Sequence, residues 1–286
     1  MRKILGLCLV LVLLFWGGEA QAGALADRIV QFPNWENKPP VTVAEGDLIY
    51  PDWMAGTWKV TSTLVEQVAP LAPDVVTPGF ESNRRYLNQP VSFLVRFQAV
   101  SNPPSTISDY TIDGGSVLRF FPLTLRRSEP SPSPLSPETP VVVADRAFNG
   151  LNIAKAYLGD TKVQSVKVDP DSPNRQITSL RSGRQLVSIV TSRASEIPAP
   201  DRFIATEVSN QIFRGIPQPY LNQVETTTAY QLKRSPSVAI DADQVTAIYL
   251  SPQDPNYFNA LERPVALYRY RLELVPIEST VDSSPT

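Results

Sequence analysis

Glu207 and Glu225 are the residues best suited to acid–base chemistry, because the chain offers little else. Its 286 residues include no histidine and one cysteine, Cys8. Ser-His-Asp and Cys-His catalysis, haem attachment through Cys-x-x-Cys-His, and ordinary zinc and copper sites need those side chains, so these classes are excluded. Glycoside hydrolysis by two carboxylates remains open. On a strand over residues 203–213, Glu207 shares a face with Phe203, Ala205, Ser209 and Gln211, and Glu225 lies on the following strand beside Thr227. Two readings stand: the carboxylates form an inward pair in a polar lumen, or both face water. Asp169 with Asp171 and Asp241 with Asp243 alternate in expected short loops, as calcium ligands do. Neither group continues into a ligand loop, so both read as solvated turns. Gly114-Gly115 reads as a hairpin turn rather than a phosphate cradle. No metal or cofactor is expected.

The elements that would position these residues are mainly strands. Segments rich in Val, Ile, Thr, Tyr and Phe alternate with period two; at 91–100 the apolar face carries Val91, Phe93, Val95, Phe97 and Ala99. Similar patterns occur at 57–66, 117–125, 162–168, 185–192, 203–213, 224–232, 244–250 and 265–275, with a weaker one at 176–181. Proline, at 28 residues, is about twice its ordinary usage. It clusters at 69–79 and 128–140, which read as long loops because each proline removes a backbone donor and fixes φ. Helical signal is limited to 24–30 and to 147–158, where Asn149 is a candidate cap. Many short strands joined by turns predict a mainly β, antiparallel up-and-down barrel with one or two short helices and long proline-rich loops. A closed barrel is preferred because it leaves no exposed edge.

Charge narrows the partners. With 28 acidic against 26 basic side chains and a formal net charge of −2, the chain lacks the basic excess of a general nucleic-acid binder. Arg84-Arg85 and Arg126-Arg127 are isolated pairs of the kind that sit in solvated loops. The first residues predict export: Arg2 and Lys3 precede an apolar run from Ile4 to Trp16 and the small-x-small site Ala20-Gln21-Ala22. That run is shorter than the roughly 20 residues of a membrane span, and Cys8 lacks the small residue that precedes a lipidated cysteine. The expected organisation is a cleaved signal at 1–22, a segment at 23–52 packing on the barrel, a single barrel domain at 53–276 and a disordered tail at 277–286.

Gly56-Thr57-Trp58, at the start of an expected strand, resembles the Gly-x-Trp signature of the lipocalin and calycin superfamily. That resemblance implies a tryptophan plugging one barrel end, with an arginine from the last strand across its ring. Tyr268-Arg269-Tyr270-Arg271 offers Arg269 or Arg271 for that place, and a cation over an indole is worth roughly 0.5–2 kcal/mol. An ordinary core aromatic is the other reading of Trp58. More broadly, residues 26–97 resemble an uncharacterised family of exported cyanobacterial proteins with relatives in the plastid thylakoid lumen. The resemblance is carried by Ala26-Asp27-Arg28, Phe32-Pro33-Asn34-Trp35, the run from Tyr50 to Trp58 and Asn83-Arg84-Arg85-Tyr86. It implies a compartment, the thylakoid lumen or periplasm, and no reaction.

The expected function is therefore non-enzymatic: an exported barrel that binds an apolar ligand such as a lipid or pigment, or a partner among photosynthetic membrane complexes. Ligand contacts are expected from Trp58, Phe93, Val95, Phe97, Arg269 and Arg271. Partner contacts are expected from the aromatic segment containing Trp35 and Trp53, which either docks on a partner or completes the core. An assembly or stability factor without ligand, and a carbohydrate-active enzyme using Glu207 and Glu225, are the alternatives.

Overall fold

The computed structural model describes residues 23–101, 140–233, 235 and 238–277. The leader, the expected strand at 117–125, Gly114-Gly115, Arg126-Arg127, nearly all of the proline-rich stretch at 128–140 and the tail beyond 277 lie outside the described residues.

The alternating segments become strands, and those among the described residues share one sheet. In chain order they are β1 (Thr42–Val43), β2 (Ile49–Tyr50), β3 (Gly56–Val68), β4 (Pro90–Val100), β5 (Val141–Ala144), β6 (Val163–Asp169), β7 (Ser172–Leu180), β8 (Gln185–Ala199), β9 (Arg202–Arg214), β10 (Tyr220–Leu232), β11 (Ile240–Leu250) and β12 (Ala266–Pro276). The helices are α1 (Ala24–Val30), α2 (Phe80–Asn83), α3 (Arg146–Leu158) and α4 (Tyr257–Ala260). Every pairing between these strands is antiparallel, and from β6 to β12 each strand lies beside its predecessor. Strand β12 then pairs with β3, joining the last strand to the first long one. Gly56 opens β3 at φ +127°, a conformation open to glycine but strained for other residues.

The sheet curls into a half-barrel rather than the closed barrel preferred from sequence. Its path ends at β6 on one side and, through β5, at β2 on the other. Helix α3 lies along this seam, packed on β4 on one side and on β6 and β7 on the other. Its approach to the second wall depends on Gly150: a Cβ there would stand 2.6 Å from Gln176 Nε2 and 3.0 Å from Val166 Cγ1. Asp145 caps α3 by accepting from the Phe148 N–H at 3.0 Å. Asn149, the sequence candidate for that cap, instead accepts from the Arg96 N–H at 2.6 Å and donates to the Arg96 carbonyl at 3.1 Å. Its amide thus satisfies the backbone of β4 just beyond the end of β5, where an exposed ladder needs a partner.

At one end the seam is crossed by the chain between β1 and β2. Strand β1 pairs with β8 at Arg193 and Ser192, whereas β2 pairs with β5 at Val143 and Val142. The Tyr50 ring then lies 4.7 Å from that of Phe97 and 5.5 Å from that of Phe203, touching both walls of the half-barrel. The main core fills the inner face with Trp58, Val60, Phe97, Phe203, Leu272 and Leu274 among its members. A second core lies outside, where Ile29, Phe32 and Trp35 cover Val245, Ala247, Tyr249 and Leu267. Both faces of the central strands are therefore covered.

Candidate ligand site

A cavity of about 290 Å³ opens in the inner face between the sheet and α3. Strands β3 and β4 contribute Val60, Phe93, Val95 and Phe97, and β12 contributes Tyr270, Leu272 and Leu274. These residues meet because period-two alternation sends one side-chain set inward and strand pairing places the sets side by side. Trp58, for example, is level with Val95 on one neighbour and Pro276 on the other. Helix α3 lays Asn149, Ile153 and Tyr157 over the opening, and the Tyr157 hydroxyl meets Ser62 Oγ at 3.2 Å. Burial, helped by neighbouring Glu207, pushes the Tyr230 phenol up to about 12. Burial also raises Tyr270, with the Tyr157 and Tyr268 phenols adding to the shift. These lining phenols stay neutral donors at ordinary pH.

Beside the cavity, a cluster of charges ties the seam together. Arg146 at the start of α3 bonds Glu207 at 2.8 Å and Asp47 at 3.0 Å, joining helix, sheet and crossing segment. Burial depresses the Arg146 guanidinium, but the charge and hydrogen bond of Glu207 outweigh it and hold the group above its usual value. Arg193 lies 3.2 Å from the same carboxylate, donates to the Gly46 carbonyl at 2.7 Å and bonds Asn174. Its guanidinium is held below its usual value, chiefly by burial. Tyr50 is raised by burial first and then by the nearby Tyr230 phenol and Glu207.

Glu225 occupies a separate, outer site. It is level with Val208, whereas Glu207 is level with Thr226, so the two carboxylates project from opposite faces. They cannot flank one glycosidic bond, and neither is left facing water alone. Glu225 is fully buried and receives Arg28 Nε and Nη2 at 2.7 Å each. Tyr249 donates to it at 2.7 Å, and the Thr227 hydroxyl lies 2.7 Å away. Trp35 closes this site from outside: the Arg28 guanidinium stands 3.8 Å from its ring centre and its indole N–H donates to the Arg28 carbonyl at 2.7 Å.

The structure brings together Phe93, Val95 and Phe97 from the expected ligand residues. Trp58 is on the same inner face but outside the cavity lining; it is 6% exposed and donates to the Met54 carbonyl at 2.8 Å beneath the 52–54 turn. Arg269 and Arg271 do not cross its ring. They alternate with the inward Tyr270 and Leu272 and so project outward, where Arg269 bonds Asp243 and stands 5.2 Å from the Phe32 ring centre. Arg271 lies 3.6 Å from Asp241. The two aspartates sit on β11, not in a loop, and serve as arginine partners; Asp169 similarly bonds Arg175 at 3.2 Å. Among the described residues no group of three or more acidic or cysteine side chains is arranged to hold a metal ion.

The aromatic segment is used internally. Trp35 is 3% exposed in the outer core, and Trp53 is half-buried against the inner one. Sequence reading missed Arg28, Arg146 and Arg193 because an isolated arginine resembles a surface residue until its distant carboxylate is in place.

This architecture defines a class: an up-and-down antiparallel half-barrel with its seam covered by a helix and a crossing segment, and a cavity beneath the helix. The chain belongs to the family described as Domain of unknown function (DUF6816), which matches residues 42–278. No curated protein and no solved structure matches it. Among the described residues no helix is long and apolar enough to cross a membrane.

Proposed function

We propose that this chain is a non-enzymatic binding protein, exported to a periplasm or thylakoid lumen, whose half-barrel holds a small apolar ligand beneath α3. The cavity carries this reading: its volume of about 290 Å³ falls just short of the roughly 300–1,000 Å³ of small-molecule sites. Its walls combine aliphatic and aromatic side chains with uncharged hydroxyl and amide groups, and such sites set apolar walls against polar groups that fix orientation. A whole carotenoid is too large for this volume, which favours a compact molecule or one end of a longer one. Export is supported by the leader pattern at 1–22 and by the resemblance to exported cyanobacterial and plastid proteins. Trp35 is buried in the outer core and Trp53 is half-buried against the inner one, so ligand binding is preferred over docking of this segment on a membrane complex.

The test is native purification followed by solvent extraction and mass spectrometry, comparing the wild type with Ala144→Trp. Ala144 lines the cavity, and an indole there fills much of it. A compound recovered with the wild type and lost from a folded variant is the expected result. Recovery of the same compound from both, or of none from either, would sink the proposal.

A further inference from the structure

The cavity wall specifies a class of ligand, on the reading that the cavity is a binding site. Sixteen described residues line it, and none carries a charge. A charged ligand would lose its water without gaining a counterion, which costs several kcal/mol. Six of the lining side chains are aromatic, offering ring faces and edges at which planar unsaturated groups gain beyond simple area burial. The volume of about 290 Å³ is equivalent to about ten waters at ~30 Å³ each, enough for one or two fused rings.

One polar group, the Gln244 side-chain NH2, sets the direction of the hydrogen bond because it can only donate, and the Tyr270 phenol can donate beside it. The Tyr270 hydroxyl has no hydrogen-bond partner among the described residues, and burial keeps it protonated. Gln244 uses its Oε1 to accept from Thr228 at 3.3 Å; its Nε2 has no acceptor among the described residues. The cavity therefore presents unspent donors and no anionic acceptor. We infer that it binds an uncharged, compact unsaturated ring compound bearing a hydrogen-bond-accepting oxygen, of the aryl ketone or quinone type.

Three probes of nearly equal size separate the parts of this inference: 1-acetonaphthone, 1-ethylnaphthalene and 1-naphthoate, titrated calorimetrically at pH 7 into the full chain and into Tyr270→Phe and Gln244→Leu. The ketone is expected to bind about ten-fold more tightly than the hydrocarbon, the increment of one good hydrogen bond, and naphthoate is expected not to bind. Either variant, with a melting temperature near that of the wild type, should bring the ketone toward the hydrocarbon while leaving the hydrocarbon's affinity unchanged. Equal binding of ketone and hydrocarbon to the wild type overturns the acceptor-bearing class but leaves the apolar site standing. Naphthoate binding as tightly as the ketone overturns the uncharged class. Failure of all three to bind removes the binding site and this inference together.

Discussion

Glu207 and Glu225 occupy neighbouring rungs of the β9–β10 ladder, yet they serve opposite ends of the molecule's energetics. Outside, Glu225 has no exposure and meets its arginine through two hydrogen bonds, with a tyrosine and a threonine completing its shell. Inside, Glu207 keeps a side-chain exposure of 23% and shares itself between Arg146 and Arg193, which lie on α3 and β8. The outer pair fixes α1 and the N-terminal segment to the sheet. The inner cluster fastens a helix and a crossing segment over a cavity. The same chemistry, a carboxylate between guanidinium groups, locks one face and latches the other.

The largest expected effect tests the lock. Glu225→Ala leaves Arg28 buried without a counterion and should cost about 3–5 kcal/mol, read as a lower urea midpoint for the whole domain. Replacing both partners, Arg28→Met with Glu225→Leu, should recover most of that loss, because an apolar pair avoids the desolvation of two charges. If the single variant costs less than about 1 kcal/mol, the contrast between lock and latch collapses.

The latch should fail more gently and more locally. Arg146→Met removes the group shared by Glu207 and Asp47 and should cost about 2 kcal/mol. Hydrogen exchange should quicken in α3 and β5, while α1 keeps its protection. Equal acceleration at α1 would show that the two faces do not open separately.

Alkaline pH should also strike the inner face. The Tyr230 phenol is raised from 10.0 to about 12, mainly by burial, so the folded state holds a proton that the unfolded state releases. That contribution is intact below pH 10 and fades as pH climbs towards about 12, at up to about 1.4 kcal/mol per pH unit. Tyr230→Phe should flatten the corresponding slope in a series of melting temperatures. The smallest expected change is Asn149→Ala, about 1 kcal/mol, with faster exchange of the Arg96 amide as its signature.

Much of the scaffold was readable locally. The alternation at 91–100 anticipated β4, Phe93, Val95 and Phe97 share the inner face as that pattern required, and the segment at 24–30 is helical. Short pieces were less legible: β1, β2 and β5 span two to four residues, too few for a periodic signal, and they form only because longer strands offer them an edge. Asn149 shows a different failure. Its type suits a helix cap, but its partner is a strand 53 residues earlier, which no local rule supplies.

The amino-acid sequence by itself determined that alternating residues lie on opposite sides of strands, and that histidine-based chemistry has no place here. Which side became the inside, and whether a carboxylate met water or an arginine, was decided only by tertiary structure. A period of two separates the faces of a strand without naming them, and here both faces are covered. Their identity comes from contacts such as Arg28 with Glu225, 197 residues apart, which exist only after the sheet has curled and the N-terminal segment has wrapped around it.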